Sequence, residues 1–323
     1  MGGDRAPDEI VAGARRAAEE LGVDVVLVGD PGRIGDPGGL EVISSASVIE
    51  MHDDPAAAVR TKKDSSLVRA AEAVRDGRAG AMVSAGNTGA TMASALLRMG
   101  RIKGVARPAI ATPIPVPGHT PTIVLDAGAN AACSPAWLVQ FAQMGSAYAR
   151  HRFSIARPRV GLLSIGEEPS KGTALVKETH ELLAGGAAGP DVSFIGNVEG
   201  RDVMSDDVDV VVTDGFTGNV VLKTIEGSLR FAMRAVLTAF DADEAARAAG
   251  EVLLPALLPL AADLDPETYG GAMLLGVNGV CIISHGSSSA RAIVNAVGVA
   301  RDALEADLVG RLVASIGSAP VGA

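Results

Sequence analysis

Asp207-Val-Asp-Val-Val-Val-Thr-Asp-Gly-Phe-Thr-Gly-Asn219, running on into Val-Val-Leu-Lys-Thr-Ile-Glu-Gly227, is the stretch that says most about the fold of this 323-residue chain. Its β-branched run predicts a buried strand, its Asp/Gly/Thr/Asn cluster a tight loop, and the apolar spacing from Val220 a helix. Amides in the first turn of a helix lack intrahelical acceptors, and the helix dipole favours negative charge there. The stretch therefore predicts an anion-binding loop.

The same order of strand, polar glycine loop and helix start recurs four more times. A single loop of this kind could be an ordinary tight turn, since glycine supplies positive φ wherever a chain reverses. Ligands of open α/β sheets bind beyond the carboxyl ends of the strands, so we expect the five loops to form one composite site at one edge. The four further loops lie within residues 81–90, 123–130, 160–172 and 280–289.

Strands that alternate with helices of ten or more residues indicate a mostly parallel sheet covered on both faces. The expected fold class is therefore a three-layer α/β/α sandwich, formed as a single domain over residues 1–323. Residues 108–121 alternate prolines with β-branched residues, which favours an edge or connecting segment before a strand at 122–125. Apolar spacing predicts helices at 7–21, 65–75, 135–150, 173–183, 217–240 and 287–304.

Residues 241–268 break this alternation and predict a helical excursion that contains Leu253-Leu-Pro-Ala-Leu-Leu-Pro-Leu260. A helix pair packed on the body is the favoured interpretation, and a dimer contact, a hydrophobic lid or a membrane contact are the alternatives. The apolar stretches near 252–260 and 272–283 are interrupted by prolines or Asn278 and are shorter than a bilayer requires. We therefore expect a soluble protein.

Composition excludes several classes of function. The formal net charge is −10 and aromatic residues make up 3% of the chain, which disfavours nucleic acid as a partner. Cys133 and Cys281 have no metal-ligand or redox spacing, and no amino-terminal signal pattern is present, which favours the reducing cytoplasm. Because neither a dinucleotide fingerprint nor a phosphate-binding P-loop occurs, we expect no cofactor. No cluster of His, Cys and carboxylate residues has metal-ligand spacing, so we also expect no metal.

Three side chains in the loops could carry chemistry. Lys171 could neutralise a bound anion or could be a solvated lysine paired with neighbouring glutamates, and its spacing favours neither. Asn219 could donate its amide to a developing oxyanion or could cap its helix. His285 follows a predicted strand and could act as a base, although a structural hydrogen bond is at least as good an interpretation.

Basic residues gather in two short stretches despite the acidic total. Such runs are usually solvated surface, but on an acidic protein they could dock an acidic partner. The docking candidates are Arg60, Lys62, Lys63, Arg101 and Lys103.

These motifs, taken in order, resemble the PlsX-type phosphate acyltransferases, which form acyl phosphate from inorganic phosphate and acyl-acyl carrier protein in bacterial phospholipid synthesis. The resemblance runs from Met1 to about residue 304. It rests on Met1-Gly-Gly-Asp-Arg-Ala-Pro7, Arg60-Thr-Lys-Lys-Asp-Ser-Ser66, Ser84-Ala-Gly-Asn-Thr-Gly-Ala90, Leu125-Asp-Ala-Gly-Ala-Asn130, Ile165-Gly-Glu-Glu-Pro-Ser-Lys-Gly172, Gly196-Asn-Val-Glu-Gly-Arg-Asp202, Asp214-Gly-Phe-Thr-Gly-Asn219 and Ser284-His-Gly286.

The resemblance implies a fold akin to phosphotransacetylases and isocitrate dehydrogenases, a short apolar strand ahead of Met1, and a cytoplasmic homodimer. It also implies loose association with the membrane and with the downstream glycerol-3-phosphate acyltransferase. It places the catalytic lysine and asparagine on Lys171 and Asn219. The phosphate and substrate would be held by Ser84, Gly86, Asn87, Thr88, Gly89, Asp214, Gly215, Thr217, Gly218, His285 and Gly286.

Three other functions remain open from the sequence. A phosphotransacetylase that uses coenzyme A would share most of these loops. A non-catalytic regulator would bind an anion or acyl group without releasing a thiol. An oxidoreductase on the related dehydrogenase fold is disfavoured because the cofactor fingerprint is absent.

Overall fold

The computed structural model describes residues 1–317; residues 318–323 and the side chain of Pro266 lie outside the description. In chain order its helices and strands are α1 (Asp8–Leu21), β1 (Val26–Gly29), α2 (Pro31–Ile34), β2 (Glu41–Ser44), α3 (Pro55–Thr61), α4 (Ser66–Arg75), β3 (Ala81–Ser84), α5 (Thr88–Arg98), β4 (Ala109–Ile114), β5 (Thr122–Leu125), α6 (Pro135–Arg152), β6 (Arg159–Leu163), α7 (Ala174–Ala184), β7 (Ser193–Val198), β8 (Val210–Val212), α8 (Gly215–Phe240), α9 (Glu244–Asp263), β9 (Ala272–Leu275), β10 (Val280–Ile283), α10 (Ala290–Glu305) and α11 (Leu308–Gly317). Two 3₁₀ turns lie at Gly200–Met204 and Pro266–Tyr269.

The main sheet has eight strands in the order β3-β10-β9-β4-β5-β8-β6-β7. The pairs β3/β10, β5/β8, β8/β6 and β6/β7 are parallel, and the three pairs that involve β9 or β4 are antiparallel. One face packs against α6, α7, α10 and α11, and the other against α3, α4, α5 and α8. The structure therefore confirms the predicted three-layer α/β/α class, with a mixed sheet.

The prediction for residues 108–121 is wrong, because β4 is a central strand between β9 and β5. Pro113 lies inside this strand and faces Ile123 of β5. β9 pairs only with the three residues Ala109–Ala111, so Pro113 has no neighbour on that side. Its missing N–H therefore costs no bond to β9, which is why a proline is tolerated here.

The excursion is helical, as expected, but it is not packed on the body. α8 and α9 contact each other as a hairpin, about 40 Å and about 30 Å long at 1.5 Å per residue. Phe231 is 75% exposed and Val252 77% exposed. We refer to these two helices as the α8–α9 hairpin.

One helix of the described chain, α9, would be long and apolar enough to cross a membrane by length and composition alone. The apolar stretch near residues 252–260, which alone is shorter than a bilayer requires, therefore belongs to a 20-residue helix that also contains Pro255 and Pro259. A single such helix is weak evidence for a span.

β1 and β2 form a separate two-stranded parallel sheet. Between β1 and the edge strand β3 lies a cavity of about 710 Å³, lined mainly by apolar side chains of β1, α1, α4 and α10. Met1 lines this cavity and contacts Gly29 at the end of β1, and burial, with a smaller effect of Arg33, lowers the pKa of the Met1 amino group. The short strand implied ahead of Met1 stays a prediction.

Candidate functional site

The five glycine loops fall into two groups according to the direction of the strand that each one follows. β3 and β10 run one way, and β5, β8 and β6 run the other way, because three antiparallel pairings separate the two sets. The expectation of one common sheet edge is therefore wrong. We call the loops after β5, β6 and β8 the Lys171 group (126–130, 164–173 and 213–219) and those after β3 and β10 the Asn87 group (85–89 and 284–289).

Sheet twist and helix packing still bring the two groups towards one face. Four strand-to-strand steps separate β10 from β8, and each step twists the sheet by about 20 to 25°. The accumulated twist leaves the directions of these two strands about 80 to 100° apart, whereas in a flat sheet they would be opposite. Leu222 of α8 packs against the hydrophobic cluster that contains Ala90 of α5 and Met99, the residue that follows α5. Helices α5 and α8 therefore meet on this face of the sheet.

Asp126 organises the Lys171 group from within. Its carboxylate is fully buried and accepts hydrogen bonds from the amides of Ile110, Gly128, Ala129 and Asn130, at 2.7 to 3.2 Å, and from the Asn130 side chain at 2.9 Å. Burial raises the pKa of this carboxyl, against the opposing effect of these hydrogen bonds. The loop after β5 is therefore wrapped around one buried acidic side chain.

Asn219 lies against this loop. The atoms of its side chain come within 3.7 Å of the place where a Cβ on Gly128 would sit, and Gly128 has a φ of +138°. Gly218 is closer still, because a Cβ there would lie 1.9 Å from the carbonyl oxygen of Asp126. Two glycines thus allow the first turn of α8 to touch the β5 loop and leave the Asn219 side chain exposed beside it.

Lys171 lies in the loop after β6, and β6 is the parallel neighbour of β8, which leads to Asn219. Its aliphatic stem passes over Gly166, whose Cβ position is 2.9 Å from Lys171 Cγ. Leu162 pairs with Val212, so the two loops leave adjacent strands at the same level. Lys171 and Asn219 therefore lie at one edge, and both are exposed.

The start of α8 is not an open anion site. The Asp214 carboxylate accepts both the amide and the hydroxyl of Thr217 at 2.9 Å, and the Asp214 carbonyl accepts the Gly218 amide. The Gly215 amide donates to the carbonyl of Asn130. Protein oxygens therefore already accept hydrogen bonds from these groups and Asp214 adds negative charge, so a role for them in holding phosphate stays a prediction.

The start of α5 is more open. Asn87 caps the helix by accepting the Ala90 amide, and its own amide donates to the carbonyls of Glu50 and Met51. Ser84 binds the hydroxyl of Thr91 and accepts the Gly86 amide, so its role in the structure is also to shape the loop. The amides of Thr88 and Gly89 belong to the first turn, where no intrahelical acceptor exists.

His285 and Gly286 complete the Asn87 group. The Ser287 amide points at Nδ1 of His285, with the Ser287 hydroxyl 2.8 Å from the same atom, so the neutral ring carries its proton on Nε2. The Gly286 carbonyl accepts the amide of Asp4. The exposed His285 ring thus has one defined hydrogen-bonding face towards solvent.

The basic docking candidates differ in whether their charged groups are already engaged by other parts of the protein. Lys62 is tied down, because its ammonium lies 2.6 Å from Asp53, lowers the pKa of that carboxyl, and donates to the carbonyl of Val48. Arg101 donates to the carbonyl of Ala106. Arg60, Lys63 and Lys103 are exposed.

Within residues 1–317 no cluster of three His, Cys, Asp or Glu residues has the geometry of a metal site. Cys281 is fully buried, and burial raises the pKa of its thiol to about 12, whereas that of Cys133 is raised to about 11. Neither thiol is therefore ionised at neutral pH, which removes both as nucleophiles.

Sequence reasoning missed the residues that support the candidate site. Asp126 and Gly128 stood in a recognised motif, but nothing in a linear pattern shows that one is buried under five donors and the other makes room for Asn219. Asn197 likewise lies in a recognised motif, and its hydrogen bond to the Glu168 carbonyl is visible only in the structure. An aspartate directly after a strand, with an asparagine four residues later, is the signal that could have indicated the first.

The chain is similar to known proteins in both sequence and fold. A family model described as "Fatty acid synthesis protein" matches residues 1–311. A phosphate acyltransferase of Pelotomaculum thermopropionicum is 47% identical over 328 aligned positions, covering 99% of this chain and 94% of that protein. Another, from a Picosynechococcus species, is 46% identical and covers 97% and 87%.

Among solved structures, a phosphotransacetylase from Streptococcus pyogenes matches with a TM-score of 0.62 and 17% identity, covering 97% of this chain and 92% of that one. A 4-hydroxythreonine-4-phosphate dehydrogenase from Klebsiella pneumoniae matches with a TM-score of 0.51 and 12% identity, covering 91% and 94%. At these identities the likeness establishes a shared fold.

Proposed function

Since the chain belongs to the fatty acid synthesis protein family, whose PlsX-type members are phosphate acyltransferases, we propose that it transfers an acyl group from acyl-acyl carrier protein to inorganic phosphate. The product is an acyl phosphate for phospholipid synthesis. The observation that carries the proposal is 47% identity to a phosphate acyltransferase over 99% of the chain. The adjacent placement of Lys171 and Asn219 at the ends of β6 and β8 supports it.

The reaction needs little acid–base help. An oxygen of the phosphate dianion attacks the thioester carbonyl carbon, a tetrahedral oxyanion forms, and the carbon–sulfur bond then breaks. The thiol of the carrier has an ordinary pKa of about 8.5, so it leaves as a thiolate and takes a proton from water. Positioning of the anion and stabilisation of the oxyanion therefore supply most of the acceleration.

The residues divide these tasks. The exposed Lys171 ammonium lowers the repulsion between phosphate and the developing oxyanion, and the Asn219 amide donates to that oxyanion. The first-turn amides of Thr88 and Gly89 are the phosphate donors we favour, because α5 is capped by neutral Asn87 rather than by a carboxylate. In this arrangement phosphate lies across the face that α5 and α8 share.

Thiol release tests the reaction directly. Purified protein is given acyl-acyl carrier protein, with and without phosphate, and the free thiol is measured. We expect release only with phosphate. Release with acyl-coenzyme A but not with the carrier substrate would favour the phosphotransacetylase alternative, and phosphate binding without any thiol release would favour the regulator.

The α8–α9 hairpin supports a homodimer. Its exposed Phe231 and Val252 form apolar surface that a second copy would cover. We expect the wild-type protein to be a dimer by light scattering and the double variant Phe231→Glu, Val252→Glu to be a monomer. Binding of the wild type to anionic vesicles, lost in the same variant, would instead assign the hairpin to the membrane and to the acyltransferase that follows.

The expected setting is the cytoplasm. Both cysteines are unpaired, which suits a reducing compartment. Association with the membrane would then be peripheral.

A further inference from the structure

The loop that carries Lys171 is held at one backbone oxygen. The Glu168 carbonyl accepts the Lys171 amide at 3.0 Å, which closes the turn that ends at the lysine. The same carbonyl accepts a second hydrogen bond at 3.0 Å, from the side-chain Nδ2 of Asn197. The position of Lys171 is thus coupled to a side chain on β7.

Asn197 is well placed to hold that oxygen. It lies near the end of β7, next to β6, and is only 6% exposed. A buried amide fixes its partner more strongly than a solvated one, because breaking the bond leaves an unsatisfied polar group. By comparison, Glu167 of this loop and Arg201 of the turn Gly200–Met204 form an ion pair whose side chains are 67% and 68% exposed, and this pair contributes little.

His180 sets the orientation of the Asn197 amide. Nδ1 of His180 lies 2.9 Å from Asn197 Oδ1. Asn197 must present Nδ2 to the Glu168 carbonyl, so its Oδ1 faces His180 and can only accept. The hydrogen bond therefore requires a proton on Nδ1 of His180, and the ring edge is steadied by Phe194, whose centroid is 5.3 Å away.

We propose that the chain of hydrogen bonds from His180 through Asn197 to the Glu168 carbonyl positions Lys171 for the reaction. Asn197 and His180 are positioning residues that do not touch substrate. This inference rests on the proposed function for its effect on rate, although the hydrogen-bond chain itself can be observed without any reaction.

The first measurement needs no activity. Nitrogen-15 NMR of the histidine rings reports which nitrogen carries the proton in the neutral form. We expect the Nδ1–H form for His180 and a shift away from it in Asn197→Leu. We also expect the Lys171 amide to exchange with solvent faster in that variant. An Nε2–H form of His180 in the wild type overturns the proposal.

The second measurement uses thiol release. Asn197→Leu and His180→Phe should lower kcat by about tenfold to a hundredfold, since a misplacement of about 1 Å can cost that much. His180→Asn keeps an amide donor near the position of Nδ1, since both nitrogens are bonded to Cγ, and should recover much of the rate. Unfolding temperatures are recorded for every variant, and the comparison is made at a temperature where all are folded.

Asn278→Ala is the matched control, because this exposed asparagine also donates to a loop carbonyl, that of Arg101, outside both loop groups. We expect its kcat to match the wild type. Wild-type kcat in Asn197→Leu, or equal loss in His180→Asn and His180→Phe, overturns the proposal. Failure of the wild type to release thiol would overturn the proposed function alone, since the NMR and exchange results still decide the positioning claim.

Discussion

Asn219 shows at the scale of one residue how the site is assembled. It follows a glycine that touches the Asp126 carbonyl, and it faces a second glycine across the gap. Its side chain is exposed at the start of α8, so its amide is free to meet a substrate. The same side chain on an ordinary helix start would serve as a cap.

We expect Asn219→Ala to lower kcat by about a hundredfold to a thousandfold, the usual cost of removing one oxyanion donor. Because the amide acts on the transition state, the KM for phosphate should change little. Thiol release under saturating substrate measures this. The control is Asn295→Ala on α10, which removes a side-chain amide that donates to the carbonyl of Glu267. Near-normal turnover in Asn219→Ala would refute the oxyanion role.

Asp126 makes a prediction about stability. In the folded protein one carboxylate oxygen of Asp126 accepts two hydrogen bonds from Asn130, and the other accepts three from backbone amides. Asp126→Asn replaces one of these oxygens by an NH₂ group, so either set of donors would lose its acceptor. Each unsatisfied buried group costs about 1 to 3 kcal/mol. We therefore expect the free energy of unfolding, measured by urea, to fall by at least about 1 kcal/mol. An unchanged midpoint would contradict this account.

The pH dependence of that stability has a defined sign. Burial raises the Asp126 pKa above its ordinary 3.8, so the unfolded chain loses this proton at lower pH than the folded one. The contribution of Asp126 to stability is therefore greatest below pH 3.8 and declines as pH rises through the folded pKa. In Asp126→Asn this declining component should be absent from the pH profile.

At the scale of elements, the first turn of α8 depends on close backbone contact with the β5 loop. A methyl group at Gly218 would lie 1.9 Å from the Asp126 carbonyl, and a backbone atom cannot rotate away. Gly218→Ala should therefore push α8 off the loop, lowering both the unfolding temperature and kcat.

Gly227 offers the matched substitution on the same helix, since nothing lies within 4 Å of its Cβ position. Gly227→Ala should raise stability by up to about 1 kcal/mol through helix propensity alone. Thermal unfolding of both variants measures the contrast. A Gly218→Ala variant as stable as Gly227→Ala would show that the helix start adapts.

For the whole molecule, the cavity of about 710 Å³ between β1 and β3 makes a prediction about the amino terminus. Each flanking strand pairs on one side only, and α4 contacts both strands. Six β-branched residues added ahead of Met1 should form a parallel strand between them and raise the unfolding temperature. A Gly/Ser extension of equal length is the control. Equal unfolding temperatures for the two extensions would contradict the prediction.

Surface charge predicts how the carrier docks. The molecule is acidic overall, so the proposed docking of an acidic carrier would need local positive charge, and Arg60 and Lys63 are exposed. The double variant Arg60→Glu, Lys63→Glu should raise the KM for the carrier substrate and leave that for phosphate unchanged, most clearly at low salt. The double variant Arg15→Glu, Arg16→Glu on α1 is the charge-matched control, since both residues are exposed. Equal effects of the two changes would indicate general repulsion.

Local patterns in the sequence predict local structure well. Apolar spacing located α1, α4, α6, α7, α8 and α10 to within about three residues, because helix formation follows side chains three and four positions apart. It missed β4, where a proline is tolerated only because of the particular register with β9. The recognised motifs also marked both loop groups, since each needs glycines and capping side chains.

The sequence by itself determined the strand, loop and helix units, the α/β class, the family, and Lys171 and Asn219 as candidates. Only the tertiary structure decided which loops share an edge, because strand direction depends on the three antiparallel pairings through β9 and β4. It also decided that the Asp214 carboxylate caps α8 while the neutral Asn87 caps α5, and that α9 and the carboxyl-terminal half of α8 stand away from the body. These depend on contacts between distant residues, which a linear pattern does not contain.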